Sequence, residues 1–150
     1  MLVFAVILFL FRKIKVALLL IFLVLLAPAG SAILLYLLNV PLNVGSYVGI
    51  IMIIGMVGEA SIFTYLQYNE VRQKGEAVTD SIVYSISVRL RPKLMTALSA
   101  IIALLPLAVG IGSGAQMHQS LAIAVIGGLV FALPVLLIAL PTFLKMIEKE

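Results

Sequence analysis

The sequence predicts an all-α integral membrane protein with four complete transmembrane helices. Of its 150 residues, 64% are hydrophobic and only 11% are charged. A soluble domain of this size would lack the polar surface that keeps a protein in water. Long apolar runs also alternate with short polar links, and each run is near the roughly 20 residues that a helix needs to cross a bilayer. Helices are expected because backbone polar groups in lipid must pair within their own segment.

The predicted transmembrane helices follow the apolar runs in chain order. They are residues 16–38, 48–65, 94–111 and 121–144. The first run, residues 1–11, is apolar but has only about half the required length. It lacks the basic start and the small-residue cleavage site of a signal peptide. We therefore expect it to be a truncated helix whose beginning precedes this sequence.

A different pattern occupies residues 76–91, between the second and third predicted spans. Apolar residues recur there every four positions, with polar residues between them. They are Val78, Ile82, Ile86 and Leu90. This amphipathic period predicts a helix that lies on the cytoplasmic face of the membrane and ends before Pro92. A turn at Lys74 and Gly75 would separate it from the preceding span.

The basic residues lie on alternate sides of the spans. All ten fall within residues 12–15, 68–93 and 145–150, whereas the links 39–47 and 112–120 contain none. The positive-inside rule places the basic segments and the C-terminus in the cytoplasm and the uncharged links outside. Because these charges form no continuous stripe, the net charge of +4 does not indicate a nucleic-acid partner.

Glu59 is the residue that points most directly to function. It lies near the middle of the second predicted span, where an ionisable group costs several kcal/mol unless it is protonated, paired or hydrated. Such a group can take up and release a proton as its surroundings change. The alternative is a permanently neutral or paired structural carboxyl. Gly55 and Gly58 would allow close helix approach and turn Glu59 toward protein, and we expect similar packing at Gly127 and Gly128.

A second polar cluster opens the third predicted span. Arg89, Lys93 and Thr96 are spaced four and three residues apart, so they share one helical face. The simpler interpretation is that basic residues at a span end extend to the membrane surface, and we favour it for Arg91. Lys93 and Thr96 instead point along the helix toward the depth of Glu59. A contact between Lys93 and Glu59 would couple the titration of the two groups.

Other chemistries have little support in the sequence. Cysteine is absent, which excludes disulfides, thiolate metal sites and cysteine nucleophiles. His118 is the only histidine, and with Gln116 and Met117 it provides too few ligands for a metal site. No nucleotide-binding loop or catalytic triad occurs. The residues therefore predict no cofactor and no metal site, and they give no sign of an enzyme. Prolines within the later spans predict kinks there. They are Pro106, Pro134 and Pro141.

Several segments resemble resistance–nodulation–division (RND) efflux permeases, in the order in which that family carries them. Residues 41–52 resemble the start of the family's tenth helix, and residues 121–129 resemble the start of its last helix. Between them, residues 89–96, 104–108 and 112–115 are also similar to the family. Together these matches cover nearly the whole chain, which would correspond to the end of the eighth helix through the twelfth.

The resemblance implies a function and an assembly. RND permeases are trimers of the bacterial inner membrane with twelve helices per subunit, and they exchange protons for exported drugs or metal cations. They work with a periplasmic adaptor and an outer-membrane channel. The expectation is thus a C-terminal membrane fragment of a proton-driven permease, a homotrimer in which this segment supplies part of the proton relay. The family's surface helix would correspond to residues 76–91.

The resemblance also assigns relay positions, and they are mixed. Drug-exporting members have a lysine at the position of Glu59, whereas metal-exporting members have an acidic residue there and a lysine at Lys93. Arg89 and Thr96 match relay positions of the drug branch. The relay residues are therefore nearer the metal-cation branch, and the substrate stays open between drugs and metal cations.

Two rival functions are compatible with the residues alone. The first is an independent small transporter that dimerises around the membrane carboxylate of Glu59. The second is a membrane-assembly subunit without transport activity, in which replacing Glu59 by glutamine would not affect proton coupling. The order of the family motifs favours the permease fragment over both.

Overall fold

Four long helices make up the computed structural model, which describes residues 14–148 and the side chains of residues 14–146. They are α1 (Ile14–Leu37), α2 (Val44–Gln73), α3 (Val78–Ala108) and α4 (Ala115–Glu148). Each is long and apolar enough to cross a membrane, which confirms the prediction of four membrane-spanning helices. The truncated helix predicted for residues 1–11 lies outside the described residues.

The last helix, α4, is the centre of the bundle. It packs against α1, α2 and α3, and further contacts join α1 to α2 and α2 to α3. The core between these helices consists of aliphatic side chains, including Leu20, Leu23, Ile53, Val125 and Leu140. The helix α3 is the least enclosed, with only four buried residues. One side of the bundle between α2 and α3 is therefore left uncovered by the described helices.

Glycines in α4 permit its close approach to α1 and α2. A Cβ atom added to Gly127 would lie 2.6 Å from Cβ of Leu34 and 2.9 Å from the carbonyl oxygen of Gly30. One added to Gly128 would lie 2.5 Å from Cγ1 of Ile53. Real Cβ atoms do not approach other atoms so closely, because non-bonded atoms repel each other steeply at distances shorter than van der Waals contact. Gly127 and Gly128 are thus positions at which α4 closely approaches its neighbours in this structure.

The two glycines near the middle of α2 lack this role among the described helices. A Cβ atom at Gly55 would meet nothing within 4 Å, and one at Gly58 would make an ordinary contact with Val24 at 3.6 Å. Gly55 lies on an exposed face of the described bundle, and the close helix approach predicted at these two positions stays a prediction. Gly49 makes the close approach instead, with an added Cβ 2.9 Å from the carbonyl oxygen of Leu121.

The helix α2 extends beyond both ends of the predicted span 48–65. It begins at Val44 because Asn43 forms a capping box with Ser46, in which the Asn43 side chain accepts a hydrogen bond from the Ser46 backbone N–H at 3.0 Å. It continues to Gln73, because residues beyond the hydrocarbon region need not be apolar to remain helical. The helix is therefore longer than a bilayer core requires.

Hydrogen bonds tie three helices together at one end of the bundle. The Ser120 hydroxyl donates to Oδ1 of Asn43 at 2.6 Å, which joins the start of α4 to the cap of α2. The side-chain amide of Gln119 donates to the carbonyl oxygen of Ala108 at 2.9 Å, at the end of α3. We call Asn43, Ala108, Gln119 and Ser120 the polar junction.

The region from residue 76 onward differs from the prediction of a surface helix followed by a separate span. A single helix runs from Val78 to Ala108 and passes through Pro92 without ending. Proline removes only one backbone donor, so the helix loses one hydrogen bond, to the carbonyl of Val88, and continues. The Thr96 hydroxyl shares its proton between the carbonyl oxygens of Pro92 at 3.1 Å and Lys93 at 3.0 Å, in the turn after the proline. The predicted break near Gly75 is present, and its φ of +89° suits glycine.

Candidate functional site

A cleft with a volume of about 310 Å³ lies between α2, α3 and α4. All four residues predicted as relay positions line it. They are Glu59, Arg89, Lys93 and Thr96. Hydrophobic residues form much of the remaining wall, so the polar groups are concentrated on the α2 and α3 sides. The cleft is thus the place in the described structure where ionisable side chains from two membrane-spanning helices meet.

Glu59 and Lys93 lie at the same level of the bundle. Glu59 is 15 residues from Val44, where α2 begins, and Lys93 is 15 residues from Ala108, where α3 ends. At a rise of 1.5 Å per residue, each side chain is about 22 Å along its helix from the end that carries the polar junction. The antiparallel course of α2 and α3 therefore brings an acid and a base to one depth.

The carboxyl of Glu59 lies on the open side of the cleft. Its side chain is exposed, as are those of Met56 and Phe63 nearby on α2. The expectation that Glu59 faces protein stays a prediction, because none of the described helices covers this face of α2. Glu59 thus belongs to the cleft and also to a surface that the described helices leave uncovered.

The cations of α3 are held by uncharged groups of α2. The Lys93 ammonium donates to Oγ1 of Thr64 at 3.5 Å. The Arg89 guanidinium donates to Oε1 of Gln67 at 3.3 Å. Arg89 also lies over the ring of Phe63, 5.4 Å from its centre, which is within the range of a cation–π interaction. Three consecutive contacts therefore join α2 and α3 along the cleft.

No ion pair joins Glu59 to Lys93 in the part of the chain that the structure describes. Both side chains nevertheless line the same cleft together with Arg89, so the charges of the three groups lie near one another in surroundings of low dielectric. The Thr96 hydroxyl is engaged with carbonyl oxygens of its own helix. Glu59 and Lys93 therefore share one cleft without a direct ion pair, and the predicted coupling of their titration stays a prediction.

The α4 wall of the cleft is entirely apolar. It consists of Leu129, Ala132, Leu133 and Leu136. A low-dielectric wall strengthens the interactions between the charges opposite it, because little solvent is present on that side to screen them. The helix α4 thus supplies the environment of the site and no titratable group within the cleft.

Residues 14–146 contain no group of three or more histidine, cysteine, aspartate or glutamate side chains that could hold a metal ion. His118 is exposed at the start of α4 and does not line the cleft. Arg91 is also exposed, which agrees with its interpretation as a residue that extends to the membrane surface. The chemistry of the cleft therefore rests on one carboxyl, two cations and the hydroxyl and amide groups beside them.

Comparison with known proteins identifies the family. The model of the AcrB/AcrD/AcrF family matches residues 1–148. The chain belongs to this family of RND efflux permeases. It is accordingly a membrane protein of a transporter family, as the resemblance in its motifs predicted.

Relatives among RND permeases include both multidrug and metal-resistance proteins. The multidrug resistance protein MdtC of Erwinia tasmaniensis is 33% identical over 124 residues, which are 82% of this chain and 12% of the relative. The cobalt-zinc-cadmium resistance protein CzcA of Cupriavidus metallidurans is 28% identical over 150 residues, which are 100% of this chain and 14% of the relative. The nickel and cobalt resistance protein CnrA of the same species is 32% identical over 125 residues, 83% of this chain and 12% of the relative. The chain thus spans only about an eighth of the length of these RND permeases.

Two residues of this RND segment were not predicted from the sequence. Thr64 and Gln67 contact the cations of α3. Neither residue is ionisable, and their positions in the sequence do not distinguish them from other polar residues of a helix. The sequence holds one indication of these contacts. Thr64 and Gln67 are three residues apart on α2, and Arg89 and Lys93 are four residues apart on α3, so each pair spans about one helical turn and the two pairs can face each other across antiparallel helices. That signal has meaning only when the pairing of α2 with α3 is known.

Proposed function

We propose that this chain is the C-terminal membrane segment of a proton-driven RND efflux permease and supplies one part of its proton relay. In this proposal Glu59 takes up and releases the proton, and Lys93 responds to the resulting change of charge. Arg89 and Thr96 complete the polar face of α3. The observation that carries the proposal is that all four side chains line one cleft between two membrane-spanning helices.

The electrostatics of the cleft support these roles. An ionised Glu59 attracts the Lys93 ammonium, whereas a protonated Glu59 does not. The attraction is strong beside the apolar α4 wall, because the interaction of two charges grows as the local dielectric falls. Arg89 is held by Gln67 and Phe63, so it serves as a fixed positive charge beside the mobile pair. Uptake of one proton can thereby be converted into movement of α3 relative to α2.

The exposed face of α2 supports the view that the relay is incomplete within this chain. Glu59 faces away from the core of the described bundle, and Gly55 leaves open space on the same helix. An ionisable group in the membrane normally faces protein or a hydrated cavity and not lipid. We propose that further helices of the same permease cover this face and contribute the remaining relay groups.

The setting of the proposed permease follows from the family. We propose a homotrimer in the bacterial inner membrane that works with a periplasmic adaptor and an outer-membrane channel, with the basic links and the C-terminus in the cytoplasm. The relatives are named for multidrug resistance and for resistance to cobalt, zinc, cadmium and nickel. The combination of Glu59 with Lys93 favours a metal cation as the exported substrate over a drug.

The relay is tested by replacing Glu59 with glutamine in the permease that contains this segment. Reconstituted in vesicles with a proton gradient, Glu59→Gln should lose substrate-driven proton flux, because glutamine cannot carry a proton between states. Glu70→Gln is the matched control: Glu70 lies on the same helix, is exposed and pairs with Lys74 outside the cleft. Unchanged proton coupling in Glu59→Gln would refute the proposed relay and favour an assembly role.

The proposal of a segment is tested with the chain expressed by itself. In a strain without its own efflux pumps, the chain alone should give no resistance to drugs or metal cations. Restored export would favour an independent small transporter that dimerises around Glu59. The DNA upstream of Met1 gives a second test, since a permease requires an open reading frame that continues for hundreds of codons.

A further inference from the structure

Thr64 is an uncharged polar side chain buried in the middle of the bundle. It is 2% exposed and lies on α2 where that helix faces α3. Its hydroxyl donates its single proton to the carbonyl oxygen of Ala60 at 2.8 Å, one turn earlier in the same helix. The oxygen therefore has only lone pairs to offer toward α3, and it can act there only as an acceptor.

The partner of that acceptor is the Lys93 ammonium, which has three donors and no acceptor. Its Nζ lies 3.5 Å from Oγ1 of Thr64, at the long end of hydrogen-bond distances. A long bond to a neutral oxygen is weaker than a close ion pair with a carboxylate. The contact is thus suited to hold Lys93 in place while allowing it to leave for a stronger partner.

The space beside Thr64 in this seam is narrow. The space between Thr64, Lys93 and α4 has a volume of about 10 Å³ and is walled by aliphatic residues such as Leu133 and Leu136. This is at the lower limit for a single water molecule. The charged groups that share a cleft with Lys93 are Glu59 of α2 and Arg89 of α3, while α4 presents only apolar side chains there.

We propose that Thr64 is a positioning residue of the relay, holding the Lys93 ammonium beside Glu59 until Glu59 loses its proton. This inference rests on the proposed function and adds a group to it. With Glu59 neutral, Thr64 is the acceptor for Lys93. With Glu59 ionised, the carboxylate is the stronger acceptor and Lys93 moves to it. Thr64 thereby defines one of the two positions between which Lys93 moves.

The first test compares three variants in the vesicle assay. Thr64→Val keeps the side-chain shape and removes the oxygen, so proton flux should fall about tenfold, as expected from the loss of one hydrogen bond to a charged group. Thr64→Ser keeps the hydroxyl and should retain most of the flux. Thr142→Val is the control, because the Thr142 hydroxyl is exposed and bonds within α4 to the carbonyl oxygen of Ile138. A merely structural role of Thr64 would leave Thr64→Val, which keeps the side-chain shape, no more impaired than Thr64→Ser.

The second test observes Lys93 directly and does not depend on transport. In the full chain in micelles, with ¹⁵N-labelled lysine assigned by Lys93→Arg, the Lys93 ammonium signal should move in Thr64→Val and stay in place in Thr142→Val. A Lys93 signal that is unaffected by Thr64→Val, together with unchanged flux, overturns the inference. If Glu59→Gln retains proton coupling while Thr64→Val still moves the signal, the relay fails and the Thr64–Lys93 contact stands.

Discussion

The packing of α4 predicts opposite effects for one substitution at two glycines. Gly128→Ala would place a methyl group 2.5 and 2.7 Å from Ile53 and 2.7 Å from the Ser31 hydroxyl. Overpacking of this kind costs about 1–3 kcal/mol. Displacing Ser31 would also weaken its 2.6 Å hydrogen bond to the carbonyl oxygen of Ala124, at a cost of about 1 kcal/mol. Alanine recovers about 1 kcal/mol of helix propensity over glycine, so the free energy of unfolding should fall by about 1–3 kcal/mol.

Gly55→Ala provides the matched control on α2. Nothing lies within 4 Å of the added methyl group, so only the gain in helix propensity remains. That gain should raise the free energy of unfolding by about 1 kcal/mol. The two variants should therefore differ by about 2–4 kcal/mol in opposite directions.

The assay is unfolding of the chain in mixed micelles, by titration with a denaturing detergent and measurement of helicity by circular dichroism. The midpoint should move to lower detergent for Gly128→Ala and to higher detergent for Gly55→Ala. Equal shifts of the midpoint for both variants would refute the reasoning. They would show that the space around Gly128 between α2 and α4 can accommodate a methyl group without strain.

Three further predictions use the same preparations. Ser31→Ala should lower the free energy of unfolding by about 1 kcal/mol through loss of a buried hydrogen bond, while Ser87→Ala, at an exposed position, should change it little. Asn43→Ala should lower the free energy of unfolding by about 1–2 kcal/mol, because it removes a helix cap and the acceptor of the polar junction. Ser113→Ala, in the neighbouring link, should leave the free energy of unfolding unchanged. Lys93→Met should reduce proton flux in the permease about a hundredfold while circular dichroism shows unchanged helicity, and retained flux would contradict its role in the relay.

The number of helices could be predicted from the sequence because hydropathy reports directly on burial in lipid. Their ends could not be predicted so well. The start of α2 at Val44 depends on the cap at Asn43, which lies outside the apolar run. The continuity of α3 through Pro92 depends on the helix tolerating the loss of the one backbone hydrogen bond that the proline removes. Hydropathy contains neither kind of information.

The candidate site was predictable to the extent that it consists of charges. Charged residues in an apolar run are conspicuous, and helical spacing alone placed Arg89, Lys93 and Thr96 on one face. Thr64 became recognisable only when the pairing of α2 with α3 was known. The glycines divide in the same way: whether one such as Gly55 packs closely depends on which face of its helix meets a neighbour.

The polar junction makes one end of this bundle a pivot. Hydrogen bonds fix the starts of α2 and α4 and the end of α3 there, whereas α2 and α3 are joined at their other ends by the short link 74–77. Lys93 is about 22 Å from Ala108 along α3. A rotation of α3 by only about 5° around that fixed end therefore displaces the lysine by about 2 Å. Such a displacement is enough to make or break a hydrogen bond. A small rotation of α3 about its fixed end is therefore sufficient to change the contacts of Lys93 at the level of Glu59.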